Sequence, residues 1–196
     1  MSIAAETAEL VKPEDQKILF LDLEGVMTRG MMQSLSAVWM FHFDTDAKYS
    51  GAATYQVSKL VNKFGFKIVL ITRHGHNDSE DLRRRLRLAK IEPSWLYRED
   101  PEAIPTIHQH KGDSVMEWLG RNTHIKIENT VALEDNPESL KKRRNGGTGY
   151  PEERIIPVNG STGMIFKDYQ EVLRLVGLED PTLSTAATPQ QKTQPQ

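Results

Sequence analysis

Apolar residues along this chain fall into two kinds of pattern. Short unbroken runs occur at residues 18–21, within 67–72 (KIVLIT), across 130–134 and across 154–158. A run of that length without polar alternation suits a strand buried on both faces of a parallel sheet. Between the runs, apolar positions recur at helical spacing. Ala53, Val57, Leu60, Val61 and Phe64 share one face of a helix that Ser50 opens and Gly65 closes. Leu82, Leu86 and Ala89 line a second helix to about Lys90, opened by an Asn77/Glu80 capping box. Val115, Met116 and Leu119 mark a third, after Lys111. Asn136 and Pro137 supply a cap and a first-turn proline for a fourth, and residues 168–176 form a fifth that Gly177 stops. Residues 94–97, after Pro93, read as a further short strand. Strands alternating with helices predict an α/β fold with a mainly parallel sheet.

Three segments lack either pattern. Residues 1–16 read as a loose lead-in to a domain spanning 17–178, and residues 179–196, dominated from Pro181 by Pro, Thr, Gln and Ser, read as a disordered tail. Residues 28–46 hold Met31, Met32, Trp39, Met40, Phe41 and Phe43 with no helical period. They suit either a hairpin or irregular segment packed into the core, or a flap whose Trp39, Phe41 or His42 touches a substrate.

With 196 residues the chain fits one domain able to bury a proper core. Lysine and arginine number 25 against 27 acidic residues, so the molecule as a whole is no general polyanion binder. There is no cysteine, which excludes disulfides, thiolate metal sites and a cysteine nucleophile together. No apolar run approaches the roughly 20 residues needed to cross a bilayer, and no secretory pattern opens the chain. A soluble, cytoplasmic protein without a membrane partner is expected. Nothing in the residues bears on oligomeric state.

Chemistry concentrates where the apolar runs stop. The first ends in Asp22-Leu23-Glu24-Gly25, the second in Thr72, and the third in Glu134-Asp135, while Lys111 stands just ahead of a helix. Taken alone, the Asp22/Glu24 pair fits a solvated surface turn as well as a cation site. Parallel strands, however, bring their carboxyl ends to one edge, which is where ligands bind in open α/β sheets. Four carboxylates, a hydroxyl and a lysine gathered there make a kit for phosphoryl transfer, with hard oxygens for Mg²⁺ and Lys and hydroxyl groups for phosphate oxygens.

In that order the segments LDLEGVMT, LIT, HKGDSVMEWL and VALEDNPESL resemble the four motifs of the haloacid dehalogenase (HAD) superfamily of aspartate-nucleophile phosphatases, over residues 17–177. The resemblance implies a three-layer Rossmann-like fold. The spacing leaves little room for a cap domain, so the chain is similar to capless members, including the HAD domains of polynucleotide and RNA repair proteins. It implies that Asp22 attacks phosphorus and that Glu24 acts as general acid and base. Asp22, Glu134, Asp135 and Glu24, the last through its main-chain carbonyl, would hold Mg²⁺. Thr72 and Lys111 would stabilise the transferring phosphoryl group. Glu24 departs from the aspartate usual in the family, and its extra methylene displaces the carboxylate by roughly 1 Å, a shift able to cost about 10²-fold in rate.

Arg73, His74 and His76 follow Thr72 and suit either substrate phosphate contact or a solvated loop. The pairs His74/His76 and His108/His110 lack the neighbouring carboxylates of a zinc site. Gly146, Gly147 and Gly149 lack the lysine of a phosphate-cradling loop and read as a flexible connector. Basic clusters at Arg83, Arg84, Arg85 and Arg87 and at residues 141–144 suit solvated helix faces, or a nucleic-acid backbone if they flank the acidic edge. Together with these clusters, the resemblance to capless repair members implies a nucleotide or a phosphorylated nucleic-acid end as the favoured substrate. Phosphorylated metabolites or proteins are the enzymatic alternative, and a non-catalytic binding module is the alternative outside enzymes.

Overall fold

Strand β1 (Lys17–Leu21) lies inside the sheet, hydrogen-bonded on both sides to parallel neighbours. A computed structural model of the chain describes residues 12–28, 49–71, 79–98 and 110–184. The sheet adds β2 (Phe66–Leu70), β3 (Thr130–Glu134) and β4 (Ile155–Pro157) in the order β2-β1-β3-β4, every pair parallel.

Alternate residues of β1 serve opposite layers. Leu19 and Leu21 pack with α1 (Gly51–Phe64), α2 (Ser79–Leu88) and α5 (Phe166–Leu175). Ile18 and Phe20 pack with Val115 of α3 (Lys111–Arg121) and Leu140 of α4 (Glu138–Lys141). All four of these β1 side chains are fully buried, which is why the run is unbroken rather than alternating. The result is the expected three-layer α/β arrangement. Within it, Phe20 meets Trp118 and Tyr150 edge-on, with ring centroids 5.4 and 5.6 Å away.

Local signals hold where a cap or a turn is specified by a single side chain. Ser50 Oγ accepts from the Ala53 N–H at 3.3 Å, and Gly65 closes α1 at φ 71°. Helix α5 begins earlier than expected, because Asp168 reaches back to accept from the Ile165 N–H at 2.8 Å.

Several boundaries differ, each for a physical reason. Residues 94–97 do not form a strand, because Pro93 opens a 3-10 turn (Pro93–Trp95), and only a lone bridge from Leu96 to Ile68 follows. Asn136 does not cap α4 with its side chain. Its main-chain carbonyl accepts from the Ser139 N–H (3.0 Å) and hydroxyl (2.8 Å) instead. The glycine-rich connector is a tight hairpin, with Lys142 bridged to Thr148 and Gly146 at φ 76° making the turn. The expected lead-in is docked at its end, where Gln16 donates to the Gly65 carbonyl at 2.9 Å.

The segment after residue 178 is docked as well. Asp180 accepts from Lys59 (2.8 Å), Lys63 (2.6 Å) and the Tyr169 hydroxyl (2.6 Å), and the turn α6 (Pro181–Ser184) follows. Thr28 and Tyr49 form an antiparallel bridge, and the Met- and aromatic-rich stretch that joins them lies outside the described residues. Among the described residues, no helix is long and apolar enough to cross a membrane.

Candidate active site

The carboxyl ends of β1 and β3 sit side by side, so the residues that follow them share one edge. Leu21 pairs with Leu133, and the Asp22 N–H still donates to the Leu133 carbonyl at 3.2 Å, which pins Asp22 at the rim. The chain then turns back at once. Gly25 adopts φ 76° and donates its N–H to Thr28 Oγ1 at 2.9 Å, and the Met27 N–H closes onto the Leu23 carbonyl at 3.0 Å. At the end of β3, Glu134 folds over its own backbone, Oε1 accepting from the Asn136 N–H at 3.1 Å.

Lys111, the first residue of α3, reaches between the two strand ends. Its ammonium donates to Asp22 Oδ2 at 2.7 Å and to Glu134 Oε2 at 2.6 Å. All three groups are buried, Asp22 being 5% exposed, Lys111 2% and Glu134 0%. A lysine so deeply placed needs such partners, because a buried unpaired charge is severely penalised. Burial and the nearby Glu134 hold the Asp22 carboxyl well above the usual carboxylate range, against the pull of Lys111. Burial likewise raises Glu134, with Lys111 and the Asn136 amide opposing it. Burial works against the Lys111 charge, but Asp22 and Glu134 outweigh it and raise the pKa of the ammonium.

Asp135 completes the cluster. Oxygen atoms of Asp22, Glu134 and Asp135 lie within 4.8 Å of one another. The Asp135 carboxylate rests over two glycines. A Cβ at Gly25 would come 2.3 Å from Asp135 Oδ2, and one at Gly160 would come 3.1 Å from it. Three carboxylates against one ammonium leave an excess of two negative charges in ionised form. Hard oxygen donors carrying that excess fit a divalent cation such as Mg²⁺. Among the described residues this is the one such acidic group, and His110 belongs to none.

The structure thus brings Asp22, Lys111, Glu134 and Asp135 together. Glu24 stands apart from the acidic group, its carboxylate turned to Arg85, with Oε1 accepting from Nη1 at 3.0 Å. Thr72, Arg73, His74 and His76 lie outside the described residues. Two features went unread in the sequence. Gly160, in the turn after β4, cradles Asp135, and the only local hint was an Asn-Gly pair following an apolar run. Asp113, in the first turn of α3, accepts from Arg143 Nε at 3.0 Å and from the Arg144 N–H at 2.9 Å. That contact seats the basic hairpin against the helix that carries Lys111. The seating is tight, since a Cβ at Gly112 would lie 2.3 Å from the Leu140 carbonyl. Lys142 and Arg144 remain exposed on the hairpin.

A protein-family model described as the HAD domain in Swiss Army Knife RNA repair proteins matches residues 18–168. No curated protein matches the chain significantly.

Proposed function

Since the chain belongs to the family of HAD domains found in Swiss Army Knife RNA repair proteins, we propose that it is a Mg²⁺-dependent phosphatase acting on phosphorylated nucleic-acid ends, RNA first among them. The observation that carries this reading is the buried meeting of Asp22, Lys111 and Glu134, drawn from three separate elements to one sheet edge. A structural ion pair needs one acid and one base. Here two carboxylates share one buried lysine and a third lies within 4.8 Å of them, at a cost in burial that a phosphate-handling site explains.

In this reading the Asp22 carboxylate attacks phosphorus, a bond from its oxygen forms, and the bond to the leaving oxygen breaks. Glu24 gives its proton to that leaving oxygen. It then takes a proton from the water that cleaves the aspartyl-phosphate, releasing inorganic phosphate and regenerating Asp22. Lys111 aims Asp22 and opposes the charge that grows on the phosphoryl oxygens. Thr72, Arg73 and His74 would bind those oxygens. Asp22, Glu134, Asp135 and the Glu24 main-chain carbonyl would hold Mg²⁺. When bound, that ion supplies positive charge to the phosphoryl group.

Two observations favour a nucleic-acid end over a free metabolite. One is the repair family to which the chain belongs. The other is the basic hairpin, whose exposed Lys142 and Arg144 flank the helix that begins at Lys111. Cations there would track a phosphodiester backbone leading away from the reacting end.

The test is phosphate release from 3′- and 5′-phosphorylated oligonucleotides, from mononucleotides and from small sugar phosphates, with Mg²⁺ or with EDTA. Preference for an oligonucleotide, weakened by rising salt and by Lys142→Ala/Arg144→Ala together, is expected. Fast turnover of sugar phosphates with oligonucleotides untouched would remove the nucleic-acid reading. Absence of turnover on every substrate would leave a binding module.

A further inference from the structure

Four arginines sit on α2, and one of them, Arg85, joins two acidic side chains. Its Nε donates to Asp81 Oδ2 at 2.6 Å, one turn back on α2, and its Nη1 donates to Glu24 Oε1 at 3.0 Å. Asp81 is itself held by Arg84 Nη2 at 3.0 Å. The Tyr49 hydroxyl hydrogen-bonds to Arg85 and lies within electrostatic range of Glu24. Glu24 is 16% and Arg85 23% exposed at the side chain, so this contact is not a loose surface pair.

A guanidinium is a rigid planar fork whose donors point in fixed directions. Gripped by Asp81 on one edge, Arg85 presents the other edge to Glu24 in a set orientation. Placement matters more for a glutamate than for an aspartate. The extra methylene adds a rotatable bond and roughly 1 Å of reach, and an unheld carboxylate would spread over several rotamers.

We propose that Arg85 is a positioning residue, anchored by Asp81, that holds the longer Glu24 side chain where an acid/base group must stand beside the leaving oxygen. This rests on the phosphatase reading, in which Glu24 carries the proton. It accounts for the one departure from the family pattern by a partner on a neighbouring helix.

The test compares two phosphomonoesters that differ in their need for a proton. An alkyl phosphate must have its leaving oxygen protonated, whereas 2,4-dinitrophenyl phosphate departs as a stable anion. The ratio of their kcat/KM values reports proton delivery in the first step, because kcat/KM stops at formation of the covalent intermediate. Arg85→Gln should lower kcat/KM for the alkyl ester about 10- to 10²-fold and for the dinitrophenyl ester several-fold less. Arg85→Lys, which keeps the charge but not the fork, should recover only part of the loss.

In a Glu24→Asp background the carboxylate is drawn back from Arg85, so adding Arg85→Gln should cost less than about threefold. Equal losses on both esters, full recovery by lysine, or an undiminished cost in Glu24→Asp would each overturn the proposal. Thermal melts accompany every variant, and Arg85→Lys carries the comparison if Arg85→Gln does not fold. A wild type inactive on both esters would instead bring down the phosphatase reading, and this inference with it.

Discussion

Lysine 111 is the most exposing place to perturb this protein, because its ammonium is the counter-charge for two buried carboxylates at once. In Lys111→Met the alkyl stem is kept and the charge is lost. At an effective dielectric of about 20, an ammonium 2.7 Å from one carboxylate and 2.6 Å from another gains roughly 6 kcal/mol from each. Desolvating each ion costs several kcal/mol, so most of that gain is offset. The measured cost of stripping one partner from a buried pair is about 3–5 kcal/mol. For a chain of this length that lowers the melting temperature by about 10 °C.

The pH dependence has a definite sign. Asp22 and Glu134 already stand above the ordinary carboxylate range, chiefly through burial, and Lys111 is what restrains them. Without it they stand higher still. A carboxyl whose folded pKa exceeds its unfolded value of about 4 stabilises the fold when protonated. That contribution is complete below about pH 4 and is lost as pH rises through the folded value. The deficit of Lys111→Met relative to wild type should therefore be largest near pH 8 and shrink toward pH 5. Circular dichroism melts in EDTA at the two pH values measure it. A variant within about 2 °C of wild type at pH 8, or an equal deficit at both, would refute the reasoning. Phosphatase activity should fall at least about 10²-fold in the same variant.

Other consequences are checked as directly. Asp22→Asn should abolish turnover without lowering the EDTA melting temperature, since it leaves Lys111 and Glu134 as a neutral pair; a clearly less stable variant would contradict this. Gly25→Ala adds a Cβ 2.3 Å from Asp135 Oδ2 at φ 76°, and should weaken Mg²⁺ binding about tenfold by titration calorimetry, with wild-type affinity telling against the cradle. Asp180→Asn breaks the docking of the segment after α5 and should cost about 2 kcal/mol, or about 5 °C, in melts at pH 7. Hydrogen bonds from Lys59, Lys63 and Tyr169 hold the Asp180 carboxyl well below its ordinary range, so its stabilisation is present above about pH 4 and lost as pH falls through the folded pKa. The difference between Asp180→Asn and wild type should narrow in acid.

Much of this protein is written locally. An unbroken apolar run suits burial on both faces and alternation with helices favours parallel pairing, so the four strands were legible. A fifth expected at residues 94–97 was not formed, and the order β2-β1-β3-β4 was not specified locally. Ser50, Gly65 and Gly177 mark helix ends because a hydroxyl cap or a positive φ is a property of one residue. The acidic tips at Asp22 and at Glu134 with Asp135 were legible for the same reason, since polar residues ending a buried strand must lie at its rim.

What only the tertiary structure decided concerns partners distant in sequence. That Lys111 would insert between Asp22 and Glu134, 89 and 23 residues away, depended on how α3 lies across the sheet. That Glu24 would turn to Arg85, 61 residues on, while Arg83 and Arg87 face outward, depended on the rotation of α2 about its axis. Gly25 and Gly160 meet over one carboxylate only because two loops close on the same edge. A sequence specifies which groups are costly to bury; the packing of helices on the sheet specifies which of them meet, because side-chain pairing over long separations is set by rigid elements rather than by neighbouring residues.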